Sequence, residues 1–403
     1  MLVVTANWLF GDGTLAAAAS APHVVAWRQA VHRAALRGGF RRDGSYRPLE
    51  AVQIVLAGDT FDCLTSSVWT DGLRPWHAGR AAEAARRSVL LSAASRGRRL
   101  LAGLSRWARG GLVVPAADRR GRPVPGTRSQ VAVRVALLTG DRDSWLPEGG
   151  EEATRHGLAV GHVWSDDAAT VRHGAEFDPC TDASERRWFG GRGWQPTIAE
   201  SVAVDLVSRF GAEMIAAGHA APGRGLVARL ASHGPVELAT VLGRWLDSVA
   251  PTAGGDVLRD SVLTLWRRSV AAWHRQTLRQ PPAQAEGFAV CDSLAELFDV
   301  GGRDRSGATA AVVERLAVHP AGEPDACTVL GHVNAVGSNE HDSERLICIA
   351  PEPLAAWRVI PRTVVRRDDG RGAAWERLQL PGLAEPRIVE FPRPPADTIV
   401  DAA

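Results

Sequence analysis

The feature that most constrains the fold is a series of short apolar runs, each of which ends in a polar turn. They are "LVVTA" before Asn7, "VQIVLA" before Gly58, "VAVRVALLT" before Gly140 and "CTVLGHVNAV" around His332. Unbroken apolar runs of this length are typical of strands that are buried on both faces. In such sheets the functional side chains lie just beyond the carboxyl ends of the strands. The sequence therefore predicts an α/β fold with a site among these turns.

The order of strand-like and helix-like segments predicts one core interrupted by an insertion. A long helix is expected after the second strand, near 77–111, and a Pro/Gly/Arg-rich surface loop at 115–130. A hairpin is expected across "SDDA" at 165–168. The pattern is mostly helical at 184–325 and returns to strands afterwards. We therefore expect an α/β core formed by 1–183 and 326–403, with 184–325 as a helical insertion or cap.

The charge composition argues against a polyanionic partner for the chain as a whole. The formal net charge is only +2, and every Lys or Arg position is an arginine. A charge this small creates no global field that attracts nucleic acid, and the arginines of the long helix are interpreted as a solvated outer face. No nucleic-acid partner is therefore expected. The abundance of Ala, Gly and Arg is typical of GC-rich bacterial genomes.

Apolar runs and cysteine spacing indicate the compartment. No apolar run approaches the roughly 20 residues that a membrane span requires, and the N-terminus lacks the features of a signal peptide. The five cysteines form no CxxC pair, which favours reduced thiols over a disulfide framework or a zinc knuckle. We expect a cytoplasmic protein without a membrane span.

The polar residues in the turns are of the types that bind divalent metals. "GDTFD" places Asp59 and Asp62 after the second strand, and "GDRD" places Asp141 after the third. His173 follows the hairpin, and "GHVN" contains His332. Carboxylates suit hard divalent ions, whereas imidazole suits Mn, Fe and Zn. These turns are therefore the candidate metal site.

The order of these motifs resembles that of the calcineurin-like metallophosphoesterases. That family carries D-x-H, G-D-x-x-D, G-N-H-[DE], a lone His and G-H-x-H, each at a strand end. "RHGAEFDP" and "PTIAESVAVDLVSRF" are further similar to the bacterial branch of the UDP-diacylglucosamine pyrophosphohydrolases. The resemblance implies a four-layer αββα sandwich, with the helical insertion over or beside a cleft. In the family this cleft holds two metals that bind phosphate and activate a water.

Matched residue by residue, the resemblance implies one complete metal site. "GDTFD" fits its motif fully, so Asp59 matches the bridging carboxylate and Asp62 its supporting partner. Four residues match the ligands of one metal, although the family asparagine is an aspartate at position 141: Asp59, Asp141, His173 and His332. Two carboxylates and two imidazoles are a credible set for Zn, Mn or Fe.

The second metal site of the family is degraded in this chain. D-x-H reads Asn7-Trp8-Leu9, and the last histidine of G-H-x-H is Asn334. Arg142 stands where the family has the histidine that protonates the leaving group. A guanidinium stays charged at any useful pH, so Arg142 cannot donate this proton. It can still bind a phosphate bidentately.

Three interpretations stay open at this point. In the first, the chain binds at most one divalent metal and a phosphate-bearing small molecule, or a protein partner, with weak or no hydrolysis. In the second, it is an active phosphoesterase or pyrophosphohydrolase that uses one metal and Arg142. In the third, no metal binds: Asp59 and Asp62 are turn and cap residues, and His173 and His332 are hydrogen-bonded residues at strand ends.

Overall fold

The computed structural model describes residues 1–16, 21–41, 43–144, 146, 158–166, 169–178, 180–183, 187, 193–251, 255–283 and 287–299, and five strands within 328–390. These residues form a mixed α/β fold, as the sequence predicts. Its strands are β1 (Leu2–Ala6), β2 (Phe10–Gly11), β3 (Ala51–Ala57), β4 (Phe61–Asp62), β5 (Leu112–Ala117), β6 (Pro123–Leu138), β7 (Ala159–Gly161), β8 (Val163–Asp166), β9 (Ala169–Arg172), β10 (Thr328–Leu330), β11 (Leu346–Ile349), β12 (Arg362–Asp368), β13 (Ala373–Arg377) and β14 (Ile388–Glu390).

The helices fall into two groups along the chain. The first group is α1 (Ala21–Gly38) and α2 (Arg80–Gly110). The second begins with α3, which runs from Ile198–Ser201 through the π-helical segment Val202–Ser208 into Arg209–Ala216. It continues with α4 (Ala220–Ala231), α5 (Leu238–Val249), α6 (Gly255–Arg279) and α7 (Gly287–Leu297). The second group lies within the predicted insertion.

A seven-stranded sheet brings the predicted strand ends together. Its order is β13-β12-β1-β3-β6-β5, and β7 also pairs with β6. β3 runs parallel to both β1 and β6, with Leu2 opposite Gln53 and Ala51 opposite Ala132. The carboxyl ends of β1, β3 and β6 therefore lie at one edge of the sheet, as expected for functional turns.

A second sheet packs against one face of the first. Its order is β14-β11-β10-β9-β8, and β8 and β9 form the predicted hairpin. Ala169 and Val171 of β9 share a buried cluster with apolar residues of β1, β3 and β6, among them Val4, Val55 and Leu138. This two-sheet packing places the end of β9 beside the ends of β3 and β6.

Helices α1 and α2 cover the other face of the seven-stranded sheet. α2 buries Leu90, Ala93, Leu100 and Leu104, whose spacing keeps one apolar stripe on the sheet. Gly97 lets this helix approach the separate parallel pair of β2 and β4 closely, because a Cβ there would lie 3.1 Å from Cδ2 of Phe10. The predicted helix near 77–111 is confirmed, whereas α1 is not anticipated by the sequence patterns above.

The second helical group has its own apolar core and is tied to the strands by buried polar contacts. Its cluster includes Trp266, Trp273 and Phe298. Asp205, in the π-helical segment of α3, pairs with Arg74 at 2.5 Å, and both side chains are buried. Ser208 donates a hydrogen bond to the carbonyl of Leu64 at 3.2 Å. Leu64 lies two residues after Asp62, so α3 contacts the turn that carries the candidate site.

Residues 115–130 depart from the sequence-based expectation. The sequence predicts a surface loop there, but β5 and β6 pair as an antiparallel hairpin, with Leu112 opposite Val131 and Ala117 opposite Pro123. Ladder hydrogen bonds hold this hairpin, and a turn containing Gly121 at φ 68° closes it. Because much of this hairpin is exposed on both faces, apolar periodicity carries little information about it.

Two further predictions concern the C-terminal motif and the membrane. His332 and Asn334 lie outside the described residues. Among the described helices, none combines the length and the apolar character that crossing a bilayer requires.

The buried pair of Arg74 and Asp205 is expected to be essential for stability. Asp205→Ala leaves the guanidinium of Arg74 buried without a counter-charge, which typically costs about 3–5 kcal/mol of unfolding free energy. Arg267→Ala is the matched control, because it removes an exposed pair with Asp299 at 3.8 Å and is expected to cost no more than about 1 kcal/mol. Urea denaturation measures both. Equal losses in the two variants would contradict this assignment.

Candidate metal and anion site

Three of the four predicted ligands of the complete metal site meet at the converging strand ends. Asp59 follows β3, Asp141 follows β6 and His173 follows β9. One ligand atom from each lies within 4.8 Å of the others. Nε2 of His173 is 2.8 Å from Oδ1 of Asp141 and 3.6 Å from Oδ1 of Asp59. The three side chains are at least nine-tenths buried, so this group could hold one metal ion.

The orientation of His173 fits a metal ligand. Nδ1 lies 3.0 Å from the carbonyl oxygen of Ala57, to which it donates, so Nε2 is directed at the two carboxylates. A hydrogen bond from the distal ring nitrogen to a carbonyl is what normally orients a histidine ligand. Burial alone lowers the pKa of His173, but the charge of Asp59 and the hydrogen bond to Asp141 outweigh it and raise the pKa to about 10. Without a bound metal, His173 is therefore protonated, and its positive charge offsets part of the negative charge of the two carboxylates.

Two glycines make this close approach possible. Gly58 has φ 91°, and a Cβ there would lie 2.2 Å from Nδ1 of His173. A Cβ at Gly140 would lie 2.1 Å from Oδ1 of Asp59. Asp59 itself has φ 51°, a left-handed conformation that is uncommon for residues other than glycine. The turns are therefore shaped to bring carboxylate and imidazole together, and the backbone of Asp59 is strained.

Arg142 is held by carboxylates at the same place. Its backbone N–H donates to Oδ1 of Asp59 at 3.1 Å, and its Nη1 lies 3.4 Å from Oδ1 of Asp62. Burial lowers the pKa of the guanidinium, but the three neighbouring carboxylates outweigh it and raise the pKa. Asp62 also accepts the backbone N–H groups of Leu64 and Thr65. Asp62 is thus a turn cap that positions Arg142.

Asp143 is a part of this site to which the sequence patterns above assign no role. It is fully buried and accepts the N–H of Gly140 at 2.6 Å and that of Phe61 at 3.1 Å. It therefore ties the turn after β6 to β4. Burial and the nearby charge of Asp59 raise its pKa to about 7. The available signal was its place at the acidic last position of "GDRD".

The first-motif residues hold the backbone next to Asp59. The N–H of Asn7 donates to the carbonyl of Gly58 at 3.4 Å, and that of Leu9 to the carbonyl of Asp59 at 3.0 Å. Asn7 and Leu9 have φ 58° and 49°. The Leu9 side chain is buried and offers no ligand atom. The backbone of this turn therefore contacts the residues of the site, but its side chains include neither a carboxylate nor an imidazole that could bind a metal.

A cleft gives access to this group from the helical side. Its enclosed space has room for only about one or two water molecules, and Asp141 and Arg142 line it. The opposite wall is mostly apolar and comes from α3, from α5 and from the segment between α4 and α5. Val202, Val207 and His233 belong to this wall. The cleft therefore brings water to Asp141 and Arg142, and a larger ligand requires its walls to move apart.

Comparison with known proteins finds no similarity: no family model, no curated protein and no solved structure matches the chain. The assignment of a function therefore depends on the geometry of the site and on the motif resemblance alone.

The close approach of Gly58 to His173 can be tested separately from the backbone strain at this position. Gly58→Ala is expected to displace His173 and to lower the unfolding free energy by about 2–4 kcal/mol, the sum of a left-handed penalty and a clash. Gly72→Ala is the matched control, because Gly72 has φ 89° but no atom within 4 Å of the point that a Cβ would occupy. It is expected to cost only the roughly 1–2 kcal/mol by which a left-handed backbone conformation destabilises a residue that has a Cβ. Equal losses would show that no close approach to His173 exists.

Proposed function

We propose that this protein is a divergent calcineurin-like metallophosphoesterase that binds at most one divalent metal and a phosphate-bearing ligand, with weak or no hydrolysis. The observation that carries the proposal is the meeting of Asp59, Asp141 and His173 at three strand ends. The proposal includes the finer fold, an αββα sandwich with a helical cap. It also includes His332 as the fourth ligand.

The donor set supports Mn, Zn or Fe in this position. Two carboxylates and one imidazole combine the ligand types that these ions accept. Nε2 of His173 lies at hydrogen-bond distance from Asp141, so a metal would take the place of the shared proton. When bound, such an ion supplies Lewis-acid polarisation of a phosphoryl oxygen.

Arg142 supports the binding of an anion beside the metal ligands. Its guanidinium is fixed by Asp62 and lines the cleft, so it does not have to be ordered when a ligand enters. A planar fork of N–H donors matches the oxygens of a phosphate. Arg142 is therefore assigned to hold the phosphate of the ligand against the metal ligands.

The same residues limit the chemistry that the site can perform. Arg142 cannot protonate a leaving group, because it keeps its charge at any useful pH. A missing general acid typically costs 10²–10⁴-fold in rate. Leu9 adds no ligand for a second metal. The alternative is an active one-metal phosphoesterase or pyrophosphohydrolase, which Arg142 favours because it supplies positive charge at the phosphate.

Metal binding is expected to displace the proton of His173. The folded-state pKa of about 10 lies above the ordinary value of about 6.5. Below pH 9 each bound Mn²⁺ or Zn²⁺ should therefore release about one proton, and affinity should rise with pH, up to tenfold per unit. Titration calorimetry in two buffers of different ionisation enthalpy measures the released protons.

The controls for metal binding are two single variants. Asp59→Ala is expected to abolish the single equivalent of metal that elemental analysis detects. Asp71→Ala removes an exposed carboxylate and is expected to retain it. No bound metal in the unmodified protein under Mn²⁺ or Zn²⁺ loading would overturn the proposal and favour turn and cap roles for these residues.

Arg142 can be tested apart from the metal. Arg142→Gln is expected to weaken the binding of inorganic phosphate to the Mn²⁺-loaded protein at least tenfold, because a charge-assisted bidentate contact is lost. Arg142→Lys keeps the charge and should lose less. Unchanged phosphate affinity in Arg142→Gln would contradict the assignment. Turnover of bis-p-nitrophenyl phosphate above that of Asp59→Ala would favour the active alternative, and equal rates the binding version.

A further inference from the structure

Positive charge is concentrated in the outer helical layer that α1 and α2 form. The two helices contain one acid, Glu83, and eleven arginines: Arg28, Arg33, Arg37, Arg80, Arg86, Arg87, Arg96, Arg98, Arg99, Arg106 and Arg109. The layer thus carries a net charge of +10, whereas the whole chain carries only +2. Acids are nearly as common as arginines in the chain, 45 against 47. A general abundance of arginine therefore does not explain the near absence of acids here.

Four of these arginines form a straight stripe on the exposed side of α2. Arg80, Arg87, Arg98 and Arg109 are all exposed. An α-helix turns by roughly 100° per residue. Spacings of 7, 11 and 11 residues therefore keep the four side chains within about 20° of one direction. At 1.5 Å per residue the stripe is about 44 Å long. The apolar stripe of the same helix is buried on the sheet.

Several of these arginines donate hydrogen bonds to backbone carbonyls, such as Arg86 to Pro75 and Arg96 to Asp12, but others make no ion pair within the described part of the chain. Among the residues that the structure describes, Arg80, Arg98, Arg99 and Arg106 have no ion-pair partner. Burial and the charge of Arg106 lower the pKa of Arg28, which lies over the ring of Trp107. Like charges held together destabilise a compact state. The pattern therefore points to an external anion.

The β5–β6 hairpin extends the same face. It is joined to α1 by a contact of 2.6 Å between Nε2 of His32 and the carbonyl of Val113. Its paired part, residues 112–131, carries four more arginines and one acid, Asp118: Arg119, Arg120, Arg122 and Arg128. All four of these arginines are exposed. The positive surface thus continues beyond the helices.

We propose that this face, defined by the exposed arginines of α1, α2 and the β5–β6 hairpin, binds the phosphate backbone of double-stranded nucleic acid. Guanidinium groups match phosphate oxygens bidentately. The stripe on α2 spans the length of about 13 base pairs at 3.4 Å each. An anionic membrane is less well matched, because the apolar sides of α1 and α2 face the sheet, and interfacial helices insert that side.

Contacts of this kind read charge and shape, not sequence. Arginines that reach only the backbone position a protein on the duplex and carry no base information. The proposed face lies on the outer side of the helical layer and shares no residue with the cleft. It is therefore independent of metal and phosphate binding at Asp59, Asp141 and His173. The expectation of no nucleic-acid partner, which used the net charge of the whole chain, is revised by the placement of that charge.

Fluorescence anisotropy with the full chain and a labelled duplex of 30 base pairs tests the proposal. We expect binding that weakens about 10²-fold between 50 and 200 mM salt if four phosphates are contacted. The triple variant Arg80→Glu/Arg98→Glu/Arg109→Glu should lower the affinity at 50 mM salt at least thirtyfold. It should also reduce the slope of log affinity against log salt by about 2.7.

A matched variant separates the stripe from net charge. Arg259→Glu/Arg275→Glu/Arg279→Glu changes the charge of exposed α6 positions equally and is expected to keep duplex affinity within about threefold. The stripe variant should unfold at the same or a higher temperature, because its substitutions relieve repulsion. No duplex binding, equal weakening in both triple variants, or binding only to anionic phosphatidylserine vesicles would each overturn the proposal.

Discussion

An excess of buried negative charge at converging strand ends is the constraint on which the site depends. Asp59, Asp62, Asp141 and Asp143 lie together there, and Arg142 and His173 are the cations that face them. Burying carboxylates costs several kcal/mol each unless charges and hydrogen bonds compensate. Burial together with the charge of Asp59 raises the pKa of Asp143, and the charge of Asp59 with the hydrogen bond to Asp141 raises the pKa of His173. A divalent cation would relieve the same imbalance, and the group formed by Asp59, Asp141 and His173 could hold one such ion.

The helical group is part of this arrangement because it closes the cleft. The π-helical segment of α3 supplies Val202 and Val207 to the wall, and its Asp205 is bonded to Arg74. π-Helical turns are rare and often occur at functional sites. Ser208 joins the same segment to the turn after Asp62. A change in the position of α3 would therefore act on both the cleft and the turn that follows Asp62, since α3 contacts both.

Much of the core could be predicted because its signals are local. The apolar runs ending at Ala6, Ala57 and Leu138 are strands buried on both faces. Such strands can be recognised from their own residues, without knowledge of the strands beside them. The prediction of a loop at the β5–β6 hairpin was wrong, because exposed strands lack that signal. α1 was not predicted, although Trp27 and Val31 are four residues apart and buried. Asp143 was given no role, because what it does follows only from the two backbone N–H groups that donate to it in the folded structure.

The sequence by itself determined which residue types stand at each strand end, and with them the absence of a metal-binding atom in the side chain of Leu9 and the permanent charge of Arg142. It could not determine which of these ends meet, because that depends on the pairing of β3 with β6 and on the packing of β9 across the sheets. Tertiary structure also decided where the arginines lie relative to one another. A net charge of +2 sums over the chain, whereas an electrostatic field depends on where the charges lie. The packing of α1 beside α2 places ten positive charges on one layer.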